Sequence, residues 1–386
     1  FQDAFEICGS IQFGSASQPG ALVDLQFANN YSQIVPKIDT KMEDFESHDY
    51  TSALYPSDAL ALRSTAAAAG LNFFPPTATL AAPNAWGIAA GTYVDQLTLQ
   101  QPQYARTNAV NTSDVVTRIV PFTALTHTVL AMDRDMIFGE DMYINMMVAP
   151  SYKIGYNTAA SNGSGAATAF VAAKQPTLSG MYVNLAVEVD PITEASVRAK
   201  FDRGDMKFIF PYQYAWRLST AGAGQISVSQ QLNSGYGRYL KRIIQVPFDS
   251  TEASTAAVGH AYDHQNCGQD KITQYQTSLN SVPLQDQQVS CANLDDWRLN
   301  KDFLKGSVIR GALPYLQNWF HMDSFSAPKR GSEVPYENVV EGLDLSLPVT
   351  WSFTATAGKA LTHYTFAEFI REIETKPGQP IEIKSV

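Results

Sequence analysis

The feature that most constrains this chain is a period-two alternation of apolar and polar residues, which puts one set of side chains on a buried face and the other outward. In residues 181–190, Met181, Val183, Leu185, Val187 and Val189 share one face, while Tyr182, Asn184, Glu188 and Asp190 share the other. That pattern predicts a half-buried strand. Residues 207–218 place Phe208, Phe210, Tyr212, Tyr214, Trp216 and Leu218 together, and Pro211 marks the strand as an edge or a bulge because it lacks a ladder donor. Residues 342–357 align Leu343, Leu345, Leu347, Val349, Trp351 and Phe353 inward. Residues 141–148 align Met142, Ile144, Met146 and Val148, and stop at Ala149-Pro150.

Gly, Pro, Ser and Asn clusters separate these runs, including Asn157–Gly165 and Thr220–Gly224, and read as loops. Short punctuated strands of this kind predict a sandwich or barrel. One segment carries helix punctuation: Asp190 as N-cap, Pro191 at the first helical position, a body from Ile192 to Asp202, and Gly204 as the stop. In residues 366–373 the spacing of Phe366, Phe369, Ile370 and Ile373 fits a helix, but the β-rich surroundings and the turn Lys376-Pro377-Gly378-Gln379 favour a strand of a hairpin.

At 386 residues and 45% hydrophobic composition the chain can fill two cores of ordinary size. The expected fold class is all-β: two tandem eight-stranded jelly-roll β-sandwiches joined by a short helix. The expected divisions are 1–190, with a long inserted loop system around Ala66–Gln103, a linker helix at 191–204, and a second sandwich at 205–386. A short echo supports duplication, since Arg118-Ile119-Val120-Pro121-Phe122 resembles the Arg242–Phe248 stretch of the other half.

A formal net charge of −10 disfavours direct nucleic-acid binding, which draws most of its affinity from cations that displace counterions on phosphate. No run of eighteen apolar residues occurs, so the expectation is a chain that is soluble or held at a membrane by another component. Cys8, Cys267 and Cys291 are scattered and odd in number, which writes neither a disulfide framework nor a zinc site and favours a reducing compartment. No secretory signal is read at Phe1, and an N-terminal arm upstream of it stays open.

The best metal candidate is His260, His264 and Cys267, whose spacing would share one face of a helix; the Gly- and Asn-rich context favours a polar loop instead. Carboxylate pairs occur at Glu140-Asp141, Asp295-Asp296 and Glu188/Asp190. The first two are adjacent and diverge on a strand, and the third sits at a helix cap. No nucleophile elbow, phosphate-binding loop or dinucleotide fingerprint is present. Asn30, Asn111 and Asn162 fall in glycosylation-type triplets of a kind frequent by chance. Arg238, Lys241 and Arg242 alternate with Tyr239, Leu240 and Ile243; they read as strand cations reaching solvent, more than as a nucleic-acid surface. No catalytic, cofactor-binding or metal-binding residue is assigned, no cofactor is expected, and the expectation is a protein that is not an enzyme.

Several stretches, taken in order, resemble the double jelly-roll major capsid proteins of the PRD1–adenovirus lineage, most of all those of virophages and polinton-like viruses. They are residues 118–157, MYVNLAVEVD with the Pro191 helix and DMKFIFPYQYAWRLS, residues 235–248, 271–286, 294–307 and 318–325, and the closing run from GLDLSLPVTWSFTATA to IEIKSV. The resemblance covers about residues 118–386. It implies two jelly rolls in one chain, homotrimers forming pseudo-hexagonal capsomers, and an icosahedral virion shell, with the protein made in the host cytoplasm or nucleus. The partners it implies are copies of the chain itself, minor capsid or penton proteins, and an internal membrane or core beneath the shell, with no direct nucleic-acid binding. Two other readings of a β-sandwich chain stay open here: a receptor- or glycan-binding spike or fibre protein, and a two-domain hydrolase using Glu188, Asp190 or the His260 loop.

Overall fold

The computed structural model describes residues 8–39, 122, 125–132, 136–148, 157–158, 167–168, 180–185, 187–204, 206–220, 222–249, 272–291, 320–326, 341–358 and 360–384. The first half contributes β1 (Cys8–Ser15), β2 (Val23–Gln26), α1 (Ala28–Asp39), β3 (Met142–Val148), β4 (Asn157–Thr158), β5 (Ala167–Thr168) and α2 (Pro191–Asp202). The second half contributes β6 (Met206–Ser219), β7 (Gly224–Leu232), β8 (Tyr239–Asp249), β9 (Ile272–Leu279), β10 (Val282–Pro283) and β11 (Val289–Ser290). It continues with β12 (His321–Ser324), β13 (Leu343–Asp344), β14 (Val349–Ala357), β15 (Leu361–Thr375) and β16 (Glu382–Lys384).

The pairing in the second half is nested. β6 pairs with β15, β7 with β14, β8 with β12 and β13, and β9 with β10 and β11, all antiparallel. The first strand thus meets the eighth, the second the seventh, the third the sixth and the fourth the fifth, if the split fifth and sixth strands are each counted once. Rolling that ribbon also brings β15 against β8 and β14 against β9. The result is two sheets, β6-β15-β8-β12/β13 and β7-β14-β9-β10/β11, which is the jelly-roll arrangement. β16 extends the first sheet by pairing with the far end of β15.

The two sheets enclose a core of aromatic side chains. Trp216 and Trp351 meet edge to face at 6.0 Å, and Tyr275 stacks on Phe353 at 5.8 Å. Trp351, Phe353, Tyr275 and Ile272 are completely or almost completely buried. Pro211 sits on β6, which among the described strands pairs only with β15, so the proline marks an edge strand as its missing donor requires.

Segments of the first half cover the outer face of the β6-β15-β8 sheet. Phe27 packs on Tyr364 and Tyr31 on Phe366, each at 5.2 Å, and Tyr31 donates a hydrogen bond to the Thr126 carbonyl. β15 is therefore buried on both faces over most of its length. This explains the helix-like spacing of Phe366, Phe369, Ile370 and Ile373: a strand covered on both sides has no polar face to alternate with. The strand and its hairpin through residues 376–379 to β16 are as the sequence predicts.

Three segments depart from the sequence reading. Residues 181–185 and 187–190 carry no ladder hydrogen bonds and are exposed on both faces, so the predicted half-buried strand is absent. Alternation specifies a face, but burial needs a second layer, and no described residue lies over this one. Residues 342–357 form two strands instead of one. β13 pairs with β8 in one sheet and β14 with β7 and β9 in the other, and the chain crosses between them at Leu345–Pro348. Asp344 accepts from the Ser346 amide to make that turn, which buries Leu345 and leaves Leu347 77% exposed. The third departure is Asn157–Gly165, where Asn157 and Thr158 pair with Thr168 and Ala167.

α2 has the predicted punctuation. Asp190 caps the Ile192 and Thr193 amides, Pro191 opens the helix, and Gly204 ends it at φ +73. In the first half, the described strands form a three-stranded sheet, β2-β1-β3, and the two-residue β4-β5 ladder.

Candidate functional site

Two buried polar clusters and one exposed arm are the features of the described residues that exceed ordinary core packing. The first cluster arises from a bulge in β8. Arg242 opposes Glu368 and Leu240 opposes Phe369, which leaves Lys241 as the extra residue. A bulge re-aims side chains that strict alternation would send to opposite faces. Arg242 Nε donates to Glu368 Oε2 at 2.7 Å, and His127 Nδ1 lies 3.5 Å from Glu368 Oε1. Lys241, Arg242 and Glu368 are all buried. Burial pushes the Glu368 carboxyl up, but the neighbouring charges of His127, Arg242 and Lys241 prevail and hold it at about 2. The reading of Lys241 and Arg242 as cations reaching solvent is therefore corrected; only Arg238 behaves so, pairing with Asp344 at 3.4 Å on the surface.

This cluster also fastens the 125–132 segment to the sandwich. Gln213 donates to the His127 carbonyl at 3.1 Å, and His127 adopts a left-handed backbone at φ +58. Nearby, Arg371 lies 3.4 Å above the Tyr212 ring and donates to the carbonyls of Ala21 and Gly235, tying β15 to the first half.

The second cluster lies between the sheets. Asp323 accepts from Trp351 Nε1 at 2.8 Å and from Thr277 Oγ1 at 3.0 Å, and lies 3.1 Å from His321 Nε2. Gln285 holds Thr277 in turn. Burial pushes the Asp323 carboxyl up, yet His321 and the two donors keep it below the usual carboxylate range. Two adjacent strands of one sheet, β9 and β14, thus converge with β12 of the other on one buried carboxylate, which fixes their register.

The catalytic candidates scatter. Glu140 accepts from Ser17 and from the Ile381 amide, so it joins the first half to the strand end at β16. Glu188 accepts from the amides of Val189 and Asp190, and Asp190 is the α2 cap; both are exposed. His260, His264, Cys267, Asp295 and Asp296 lie outside the described residues. Among the described residues, no group of three or more His, Cys, Asp or Glu side chains is placed to hold a metal, and no helix is long and apolar enough to cross a membrane. Both described cysteines, Cys8 and Cys291, are buried.

The exposed arm is residues 181–185 and 187–192. Tyr182, Leu185, Val187, Val189 and Ile192 are all exposed, and α2 behind them is buried only at Phe201. Further exposed apolar side chains are Val282 and Leu284, which follow the Asn280-Ser281 hairpin turn, and Leu347 in the crossing between β13 and β14.

The strand order defines a jelly-roll protein, a fold that hides most sheet edges by pairing two sheets. The chain is similar to the crystal structure of PBCV-1 VP54 fitted into a cryo-EM reconstruction of the virophage Sputnik, with a TM-score of 0.31, 13% identity, 47% of this chain covered and 52% of that chain. It is similar to the same extent to the quasi-atomic model of the PBCV-1 virus capsid, at 11% identity. Against the cryo-EM structure of the Sputnik virophage the TM-score is 0.36 at 8% identity, covering 98% of this chain and 74% of that one. The chain spans about half the length of the first two of these structures. No family model matches the sequence, and no curated protein matches it.

Proposed function

We propose that this chain is a viral major capsid protein: two tandem jelly rolls, over residues 1–190 and 205–386, joined by the 191–204 helix, three copies of which form a pseudo-hexagonal capsomer of an icosahedral shell. The observation that carries the reading is the nested strand pairing of the second half, since it is the arrangement implied by the capsid resemblance of about residues 118–386. Supporting it, the ionisable side chains with the most unusual environments, Glu368 and Asp323, are spent on holding strands and segments together. The apolar surface at 181–185 and 187–192 and at Val282, Leu284 and Leu347 suits a protein that buries surface on assembly. A closed ring of three needs a heterologous interface, with different surfaces of one chain in contact. In this reading the chain is not an enzyme, resides in the virion shell, and meets copies of itself and minor capsid proteins, with the acidic balance turning it away from the genome.

Electron microscopy of the purified chain tests the proposal. Hexagonal outlines or shell fragments are the expected result. Glycan-array binding by particles that never assemble would replace it with the spike or fibre reading.

A further inference from the structure

One row of side chains crosses the whole inner face of the β6-β15-β8-β12 sheet. Thr365 on β15 lies opposite Trp216 on β6 and opposite Gln245 on β8, and Gln245 lies opposite His321 on β12. Directly opposed residues of antiparallel strands point to the same face. Here that face is the core, because His321 packs against Tyr275 and Phe353, and Trp216 against Trp351, from the other sheet.

Each of the four carries a buried polar atom that no described group satisfies: Trp216 Nε1, Thr365 Oγ1, Gln245 Oε1 and His321 Nδ1. Thr365, Gln245 and His321 are at most 2% exposed. Reorientation does not remove the problem. Gln245 Nε2 already lies 3.2 Å from His363 Nδ1, so exchanging its oxygen and nitrogen moves the unsatisfied atom without pairing it. His321 Nε2 lies 3.1 Å from Asp323 Oδ1 without a well-aligned hydrogen bond, and its Nδ1 faces away from that carboxylate, so neither ring nitrogen is satisfied within the described residues. Four unsatisfied groups in one core would cost an amount comparable to the net stability of a domain.

We infer that this row is an internal hydration site, in which ordered water between the sheets bridges the four atoms. The complement is that of water and of little else. Gln245 Oε1 accepts, His321 Nδ1 accepts when Nε2 carries the proton, Trp216 Nε1 only donates, and the Thr365 hydroxyl does both. An indole N–H cannot ligate a cation, and a row containing a carbonyl acceptor beside a carboxylate-paired histidine does not suit an anion. Water donating to Gln245 and His321 and accepting from Trp216, with Thr365 as the link, satisfies every atom with the two to four bonds an internal water makes.

The test is a density map of the intact protein at a resolution that shows ordered water, for the unaltered chain and for Thr365→Val. Water peaks at roughly 3 Å from Gln245 Oε1 and His321 Nδ1 are expected. Thr365→Val should remove the peak bonded to Oγ1 and lower the denaturation midpoint, because a bound water loses a partner. A map in which the four atoms bond neighbouring protein groups with no water between them overturns the inference. So does a higher midpoint for Thr365→Val, the result of deleting a hydroxyl that had no partner at all.

Discussion

Glu368→Gln is the substitution whose consequence is worked most directly from geometry. The carboxylate is 1% exposed, accepts from Arg242 at 2.7 Å, and sits with Lys241 and His127 where β8 bulges. Glutamine keeps the shape but removes the charge that faces Arg242 and Lys241, and removing one partner of a buried pair costs about 3–5 kcal/mol. The pH dependence gives an independent figure. Burial opposes ionisation of Glu368, but the nearby positive groups win and hold its carboxyl at about 2, against 4.5 for an ordinary glutamate. A folded-state value below the unfolded one means that the contribution is fully present above about pH 4.5 and is lost as pH falls toward about 2. The gap is worth roughly 3 kcal/mol, in line with the first figure. Urea unfolding followed by tryptophan fluorescence, at a series of pH values from 7 down to 2, reads both. The expected result is a variant less stable by about 3–5 kcal/mol at neutral pH, with the difference shrinking below pH 4.5. A variant within about 1 kcal/mol of the unaltered protein at pH 7, or a difference that persists unchanged to pH 2, would refute the reasoning.

Trp351→Ala removes a fully buried ring that packs on Trp216 and Phe353 and donates to Asp323; a loss of about 3–5 kcal/mol is expected in the same urea assay, and a loss below about 1 kcal/mol would contradict the packing described. Gly342→Ala puts a methyl 2.3 Å from the Leu240 carbonyl oxygen at φ +150, so β13 should detach from β8, seen as fast amide exchange at residues 343–344. Gly222→Ala, with open space around it, should leave the melting temperature unchanged. Burial pushes the Cys8 thiol up to about 11, and Cys291 is buried too, so a Cys267→Ser variant should show no thiol reactive to Ellman's reagent at pH 8 until denatured.

What the sequence made legible was local and one-faced. β6, β14 and α2 were readable because their apolar periods or caps stand next to clear stops: Pro211 on an edge strand, Trp351 and Phe353 two apart, Asp190-Pro191 before Gly204. β15 was harder, since coverage by Phe27 and Tyr31 on its outer face erases the alternation. The crossing at Leu345–Pro348 was invisible because Leu343, Leu345 and Leu347 keep the period while the chain changes sheets. The Glu368 cluster was missed for a different reason: its partners come from β8, β15 and the 125–132 segment, which covers the face that Arg242 and Glu368 share, and a one-residue register shift falls beside them at Lys241. The signal that could have found it was the pair of adjacent cations Lys241-Arg242 in a strand otherwise apolar from Leu240 to Val246 apart from Gln245. Residues 181–190 show the converse, a pattern legible in full whose covering layer no single segment can announce.

The most direct measurement of the capsid reading is the mass of the purified chain by light scattering across micromolar concentrations. The proposal predicts a particle of three chains, each of 42.3 kDa, or larger assemblies built from such trimers. A mass that stays at 42.3 kDa throughout the range would contradict it.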